Sequence, residues 1–342
     1  MLKYLVTSVL LVASFVSAQD FVFVSSRLII DTDLSLAEDW QKHQNELFLY
    51  RNGSEIRLTY SNDLKEYDPS ISPNGKLIAY VASSWVYPNE LENSSWQVIV
   101  SDLRGRQIAS FPLPNTQSEM RPAGGFSLAW LANSSGFFGN SYRKDSYDWD
   151  IYFFDINNKS SKKVAEGFMP ALNPNNNLLA SYLNNEVRIF DLSLDESWSV
   201  FEGVPLAWYD DTNIFVQNDD GLYLVDVYSA ELPDLIYDVA GIYEYFVVND
   251  SREYAFALRS NDANTTGSSL HKFVKRDTLI EVQLDGIVTG LSFLADGSLV
   301  YSLQNDFSDQ IYKINEHATI TPLVSSFGSD YSPQGFNKKP RP

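Results

Sequence analysis

From Ser70 to Phe111 the chain alternates apolar and polar positions in short runs, each broken by turn residues. "SISPNGKLIAYVAS" is a strand, a Pro73-Asn74-Gly75 turn and a second strand with period-two alternation. "WQVIVSDLRGRQIASF" repeats the arrangement around Arg104-Gly105, so this stretch predicts four short strands in sequence. Pro, Asn and Gly are there to set turn dihedrals.

The same pattern recurs more weakly over 126–167, 169–203, 204–239, 244–284 and 290–326. Its first turns centre near residues 74, 134, 175, 211, 250 and 296. A spacing of roughly 44 residues is that of propeller blades. A further pair of strands is predicted at 45–61, around Asn52-Gly53, with no obvious pair before it. "SDYSPQGF" at 329–336 echoes "EYDPSIS" at the head of the first full unit. The economical arrangement is an all-β propeller of four-stranded blades in which N- and C-terminal strands share one blade. That closure removes the strand edges a sheet must otherwise protect. Seven blades fit best; six would result if residues 21–61 packed outside the ring.

"DPSISPNGKLIAYVAS…WQVIVSDLRGR" resembles the repeat of TolB-type propellers, with an Asp-Pro lead, a Ser-Pro-Asn-Gly turn and a strand ending in Asp. "LADGSLVYSL" and "DQIYKIN" carry the resemblance in the last unit. The family usually has Asp where this chain has Asn74, and the α/β domain that precedes the propeller in TolB has no counterpart pattern here. The resemblance therefore implies a propeller throughout and does not carry over TolB's particular role.

Composition narrows the function. A net charge of −19 argues against nucleic-acid and anionic-lipid partners, whose binding rests on Lys and Arg. The start reads as an address: Lys3, then the apolar run 4–16, then "VSA" with cleavage expected after Ala18. The run is too short to span a bilayer comfortably, and no later segment approaches that length, so no membrane insertion is expected. The expected layout is a signal peptide at 1–18, a single propeller domain at 19–336 and a flexible basic tail at 337–342. The product would be periplasmic or secreted. Six Asn-x-Ser/Thr sites slightly exceed chance and do not establish glycosylation.

Chemistry is sparse. There is no cysteine, which excludes disulfides, thiolate metal sites and a Cys nucleophile. The three histidines, His43, His271 and His317, fall in different units, so no metal site is expected. There is no G-x-S-x-G elbow, phosphate loop or dinucleotide fingerprint. The acidic pairs Asp210-Asp211 and Asp219-Asp220 read as turn residues ahead of calcium ligands, and no cofactor is expected.

The loops say more. Links between second and third strands, and between blades, open on one propeller face. On that face lie 61–68, 83–95, 112–125, 141–150 and 260–269, carrying Trp85, Tyr87, Arg121, Tyr142, Arg143, Tyr147 and Trp149. Trp, Tyr and Arg dominate binding hot spots, and loops on a rigid scaffold are where recognition concentrates. Trp149 and Trp96 are also candidates to pack between blades. The reading is an exported, non-catalytic module that binds a protein or peptide through this face. The alternative is a carbohydrate-binding or carbohydrate-active propeller, its aromatics stacking on sugar rings and its carboxylates serving as acid and base.

Overall fold

The computed structural model describes residues 19–27, 45–61, 64–84, 96–113, 127–143, 148–238, 241–259, 267–274, 277–305, 308–326 and 329–336. These form seven four-stranded antiparallel sheets. The seven-bladed ring, rather than the six-bladed one, is what the chain builds.

Blade 1 combines β28 (Asp330–Gly335), β1 (Phe21–Ser25), β2 (Glu46–Arg51) and β3 (Ser54–Arg57), in that order from the axis outward. Blade 2 is β4 (Leu64–Ile71), β5 (Leu77–Ser84), β6 (Trp96–Asp102) and β7 (Gln107–Pro112). Blade 3 is β8 (Leu128–Trp130), β9 (Gly136–Arg143), β10 (Asp148–Asp155) and β11 (Ser160–Glu166). Blade 4 is β12 (Phe168–Leu172), β13 (Leu178–Leu183), β14 (Glu186–Asp191) and β15 (Glu196–Glu202). Blade 5 is β16 (Val204–Trp208), β17 (Asn213–Asn218), β18 (Gly221–Asp226) and β19 (Asp234–Tyr237). Blade 6 is β20 (Ile242–Val248), β21 (Glu253–Arg259), β22 (Ser268–Val274) and β23 (Asp277–Gln283). Blade 7 is β24 (Ile287–Phe293), β25 (Leu299–Gln304), β26 (Asp309–Ile314) and β27 (Ile320–Val324).

Closure follows the predicted scheme. Phe21 pairs with Gly335 and Ser25 with Asp330, so the last strand is zipped antiparallel to the first. The echo between "EYDP" and "DYSP" has a structural cause. Asp68 and Ser332 both take left-handed backbone conformations, φ 48° and 50°, immediately before Pro69 and Pro333. In both inner strands the register slips there, two residues opposing one, which is a β-bulge. Met169 and Tyr245 (φ 55° and 53°) mark the same slip in β12 and β20.

Each blade buries both faces against its neighbours, and the hydrophobic clusters are seams between blades. Ala79, Val98, Phe111, Phe137 and Phe154 join blades 2 and 3. Phe215, Tyr243, Tyr254, Phe256 and Phe273 join blades 5 and 6. Trp96 is buried in the first of these seams.

The inner hairpin turns and the outermost hairpin turns share one face, the turn face; residues 19 and 336 lie there too. Connections between second and third strands, and between blades, open on the loop face. Side chains stitch the inner turns together. Ser134 Oγ of blade 3 accepts from Asn74 N of blade 2 at 3.1 Å. Asn176 Oδ1 of blade 4 accepts from Ala132 N of blade 3 at 2.9 Å, and Asn173 Nδ2 donates to Asp211 O of blade 5 at 3.0 Å.

Candidate functional site

On the loop face, the connections 26–45, 85–95, 113–127 and 144–147 arise from blades 1 to 3, and 260–267 from blade 6. On blades 4 and 5 the corresponding links are tight. Asn184 and Asn185 form one turn with positive φ, and single glycines, Gly167 and Gly203, carry the chain between blades. At these two glycines φ is +134° and +135°, and an added Cβ would lie 2.7 Å from Ser181 Oγ or 2.3 Å from Gln217 O. Only glycine fits such a crossing.

Of the residues expected to form a recognition surface, Trp85, Tyr87, Arg121 and Tyr147 lie outside the described residues, as does the side chain of Arg143, which ends β9. The link expected at 141–150 is shorter in the structure, because β9 runs to Arg143 and β10 begins at Asp148. Tyr142 and Trp149 are therefore directly paired strand residues. Their ring centroids lie 5.0 Å apart, and Trp149 also packs on Phe168 of blade 4 at 4.9 Å. Tyr142 is buried and Trp149 half-buried, so both support the rim of the loop face.

Beneath that rim sit buried ionic groups that the sequence reading did not single out. Arg57 pairs through its guanidinium with both carboxylate oxygens of Glu46, which has no exposed surface. Its Nε also donates to Thr59 O at 2.8 Å, and its guanidinium lies 4.2 Å from the Tyr60 ring, which is exposed. Glu66, on the inner strand of blade 2, accepts from Ser61 Oγ at 2.6 Å. Its other oxygen has no partner among the described residues. Burial, with nearby Glu46 adding to it against Ser61 and Arg57, pushes the Glu66 carboxyl up to about 8. Burial likewise raises Glu46. With two carboxyls and one guanidinium in the cluster, a proton on Glu66 gives neutrality.

The other flank of blade 1 is built alike. Arg27 bonds Glu55 and, at 3.0 Å, Asp330, whose side chain is fully buried. Thr289 Oγ1 lies 2.9 Å from Ser302 Oγ and 3.0 Å from Asp309 Oδ1. Asp309 is raised by burial, with Asp330 adding to it. Glu66 and Asp330 occupy the same position, two residues before the left-handed residue of their strands. The signal in the sequence was the acid of "EYDP" and "DYSP".

Two of the concavities formed by the described residues open on the turn face. One lies at the axial mouth, lined by Pro73, Gly75, Asp250 and Phe336 from blades 2, 6 and 1. The other, of ≈ 330 Å³, is walled by Pro174, Tyr209, Asp211, Asp250 and Arg252 from blades 4, 5 and 6. Asp210 caps its own turn, accepting from Thr212 N at 3.0 Å and Asn213 N at 2.8 Å, as expected of a turn residue. These bonds hold its carboxyl below the usual range despite the opposing effect of burial.

Among the described residues no group of three or more His, Asp or Glu side chains is placed to hold a metal ion. His317 is exposed in the outer β26–β27 turn on the turn face. His271 is buried, with Nε2 2.7 Å from Ser269 Oγ. Its Nδ1 has no partner among the described residues, and its ring is stacked on Phe256 at 5.1 Å. The pair therefore lacks the orienting group of a catalytic triad. Burial lowers the His271 pKa.

No family model matches the chain, and no curated protein sequence does. Solved structures do match. A prolyl endopeptidase, from a study of two such enzymes and of inter-domain dynamics in catalysis and specificity, aligns with TM-score 0.58 and 14% identity. That alignment covers 84% of this chain and 47% of the endopeptidase. The β-propeller domain of the Trilobed protease from Pyrococcus furiosus, described as having an open velcro topology, aligns at TM-score 0.54 and 14% identity, over 77% of this chain and 84% of that one. TolB from Acinetobacter baumannii aligns at TM-score 0.50 and 16% identity, over 85% and 78%. At these identities the likeness is one of fold. The chain spans about half the length of the prolyl endopeptidase. The propeller read from the repeat is shared with TolB and, equally, with peptidase propeller domains. The ring here is zipped by β28 and β1, unlike the open arrangement named for the Pyrococcus domain.

Proposed function

We propose that this is an exported, non-catalytic propeller that binds a protein or peptide through the loop face of blades 1 to 3. One observation carries the reading: the three longest loop-face connections, 26–45, 85–95 and 113–127, gather on adjacent blades 1 to 3, while blades 4 and 5 cross the same face by minimal turns. A ring made rigid by its seams pre-organises the bases of those loops, which lowers the ordering cost of recognition. The Tyr142–Trp149–Phe168 packing fixes one such base. Peptidase propellers and TolB among the structural neighbours support a polypeptide as the ligand class. The apolar run 4–16 and the small residues before Gln19 support export. Among the described residues no helix is long and apolar enough to cross a membrane.

The test separates loops from scaffold. Chains carrying Trp85→Ala, Tyr87→Ala, Arg121→Ala and Tyr147→Ala together should keep the wild-type melting curve and lose at least tenfold in affinity for a captured polypeptide. Trp149→Phe should retain that affinity. Quenching of tryptophan fluorescence by a glycan, with no polypeptide captured, would instead select the carbohydrate reading.

A further inference from the structure

We propose that the basic segment 337–342 folds back across the axial mouth and occupies the cleft on the turn face. This is the face opposite the proposed recognition loops, and the inference does not depend on them. Phe336 is 2% exposed and packs against Gly75, so the chain reaches residue 337 at the mouth itself. Asp250 lines that mouth together with Phe336 and also forms a wall of the neighbouring cleft. Six extended residues span up to about 20 Å, enough to cross from one to the other.

The chemistry is complementary. The segment, "NKKPRP", carries Lys338, Lys339 and Arg341 in a chain of net charge −19. The cleft offers Asp210, Asp211 and Asp250 against a single cation, Arg252, which lies 5.7 Å from the Tyr209 ring. Asp211 and Asp250 are exposed. Pro340 and Pro342 favour an extended polyproline conformation, which docks on aromatic grooves with little ordering cost. Tyr209 and Pro174 supply that surface, and Trp208 beneath them is fixed by its Nε1 bond to Ala171 O at 2.9 Å. The bond from Asn173 to Asp211 O holds the cleft wall in place without the segment, so the site is preformed. The ligand class is thus a short cationic peptide containing proline, and the chain carries its own copy.

The test uses the full chain. At 50 mM salt, the amides of residues 337–339 and 341 should give heteronuclear NOE values like those of the strands. The values should collapse in the D211N/D250N double variant, and also at 0.5 M salt. Low values in the wild-type chain, or values unmoved by the double variant, would overturn the proposal. Competition gives an independent reading. Synthetic NKKPRP should bind a chain ending at Phe336 at least tenfold more tightly than it binds the full chain. D211N/D250N should raise that Kd at least tenfold. Equal binding to the two chains would mean a cleft open to outside peptides, and no binding to either would mean no cationic-peptide site; each result overturns the self-docking.

Discussion

The seam between blades 5 and 6 and the two seams flanking blade 1 are all packed with apolar side chains, but those flanking blade 1 carry buried ion pairs as well. On blade 6, at its seam with blade 5, Phe256 stacks on Phe246, Phe273 and His271 with interplanar angles of 10°, 19° and 20°. Phe215 meets Tyr254 at 4.7 Å in the same seam. The hydrophobic burial behind such packing is strong and non-directional. Around blade 1, arginines in addition peg buried carboxylates: Arg57 with Glu46 beside Glu66, and Arg27 with Asp330 beside Asp309. Buried ion pairs add little net stability over apolar packing, but they penalise a wrong partner heavily. Closure is where a wrong partner is a hazard, because β1 must select β28 from several inner strands that carry the same bulge. Apolar packing supplies adhesion in all three seams, and the ion pairs around blade 1 add selection.

That contrast can be broken at several points. Phe256→Ala should have the largest effect, a loss of about 4 kcal/mol typical of a buried aromatic. Denaturant titrations at low and high salt should give the same loss; a clear salt dependence would contradict the apolar account. Arg57→Ala should cost about 3 kcal/mol, because it leaves Glu46 buried without its cation. Arg57→Met with Glu46→Leu and Glu66→Leu should recover most of that stability. Its expected defect is in closure, read as slower refolding or an added population of oligomers. Full recovery with wild-type refolding would remove the case for selection.

Glu66 ties the ionic seam to pH. Its folded pKa, about 8, lies above the unfolded value of 4.5, so the folded state holds its proton more tightly. The stability from that proton is complete below pH 4.5 and is lost as pH rises toward 8, on the order of 1 kcal/mol per pH unit. Glu66→Gln should remove this slope. The difference in melting temperature between variant and wild type should widen from pH 5 to pH 8 and then level off. A difference constant with pH would mean that Glu66 is ionised throughout. The smallest effect belongs to Arg106→Ala. Arg106 meets Asp102 at 3.1 Å with its side chain 77% exposed, and the change should cost no more than about 0.5 kcal/mol by thermal melts.

The fold was legible in the chain because its repeat is written in turn residues. Pro73-Asn74-Gly75, Asn52-Gly53 and the "DYSP" echo need particular backbone dihedrals, and those dihedrals dictate which residues can occupy them. The ionic seams were not legible, for a related reason. At Asp68 and Ser332 the bulge breaks the alternation of side chains, so period-two reading cannot assign the direction of Glu66 or Asp330. Tyr142 and Trp149 show another limit. Aromatic and polar residues mixed near a turn suit a loop or the end of a strand equally well, and only the extension of β9 and β10 settles the matter. The turn-face cleft draws on three blades, and no local pattern announces such a meeting.

The pairing of β1 with β28 also sets a timetable for synthesis. Translation adds about 5–20 residues per second, so the partner of Phe21 leaves the ribosome roughly 15–60 seconds after Phe21 does. Throughout that interval β1 keeps one unpaired edge, in a strand whose five residues are all buried in the finished ring. A nascent chain in that condition stays adhesive until β28 is made, and that strand ends the exposure.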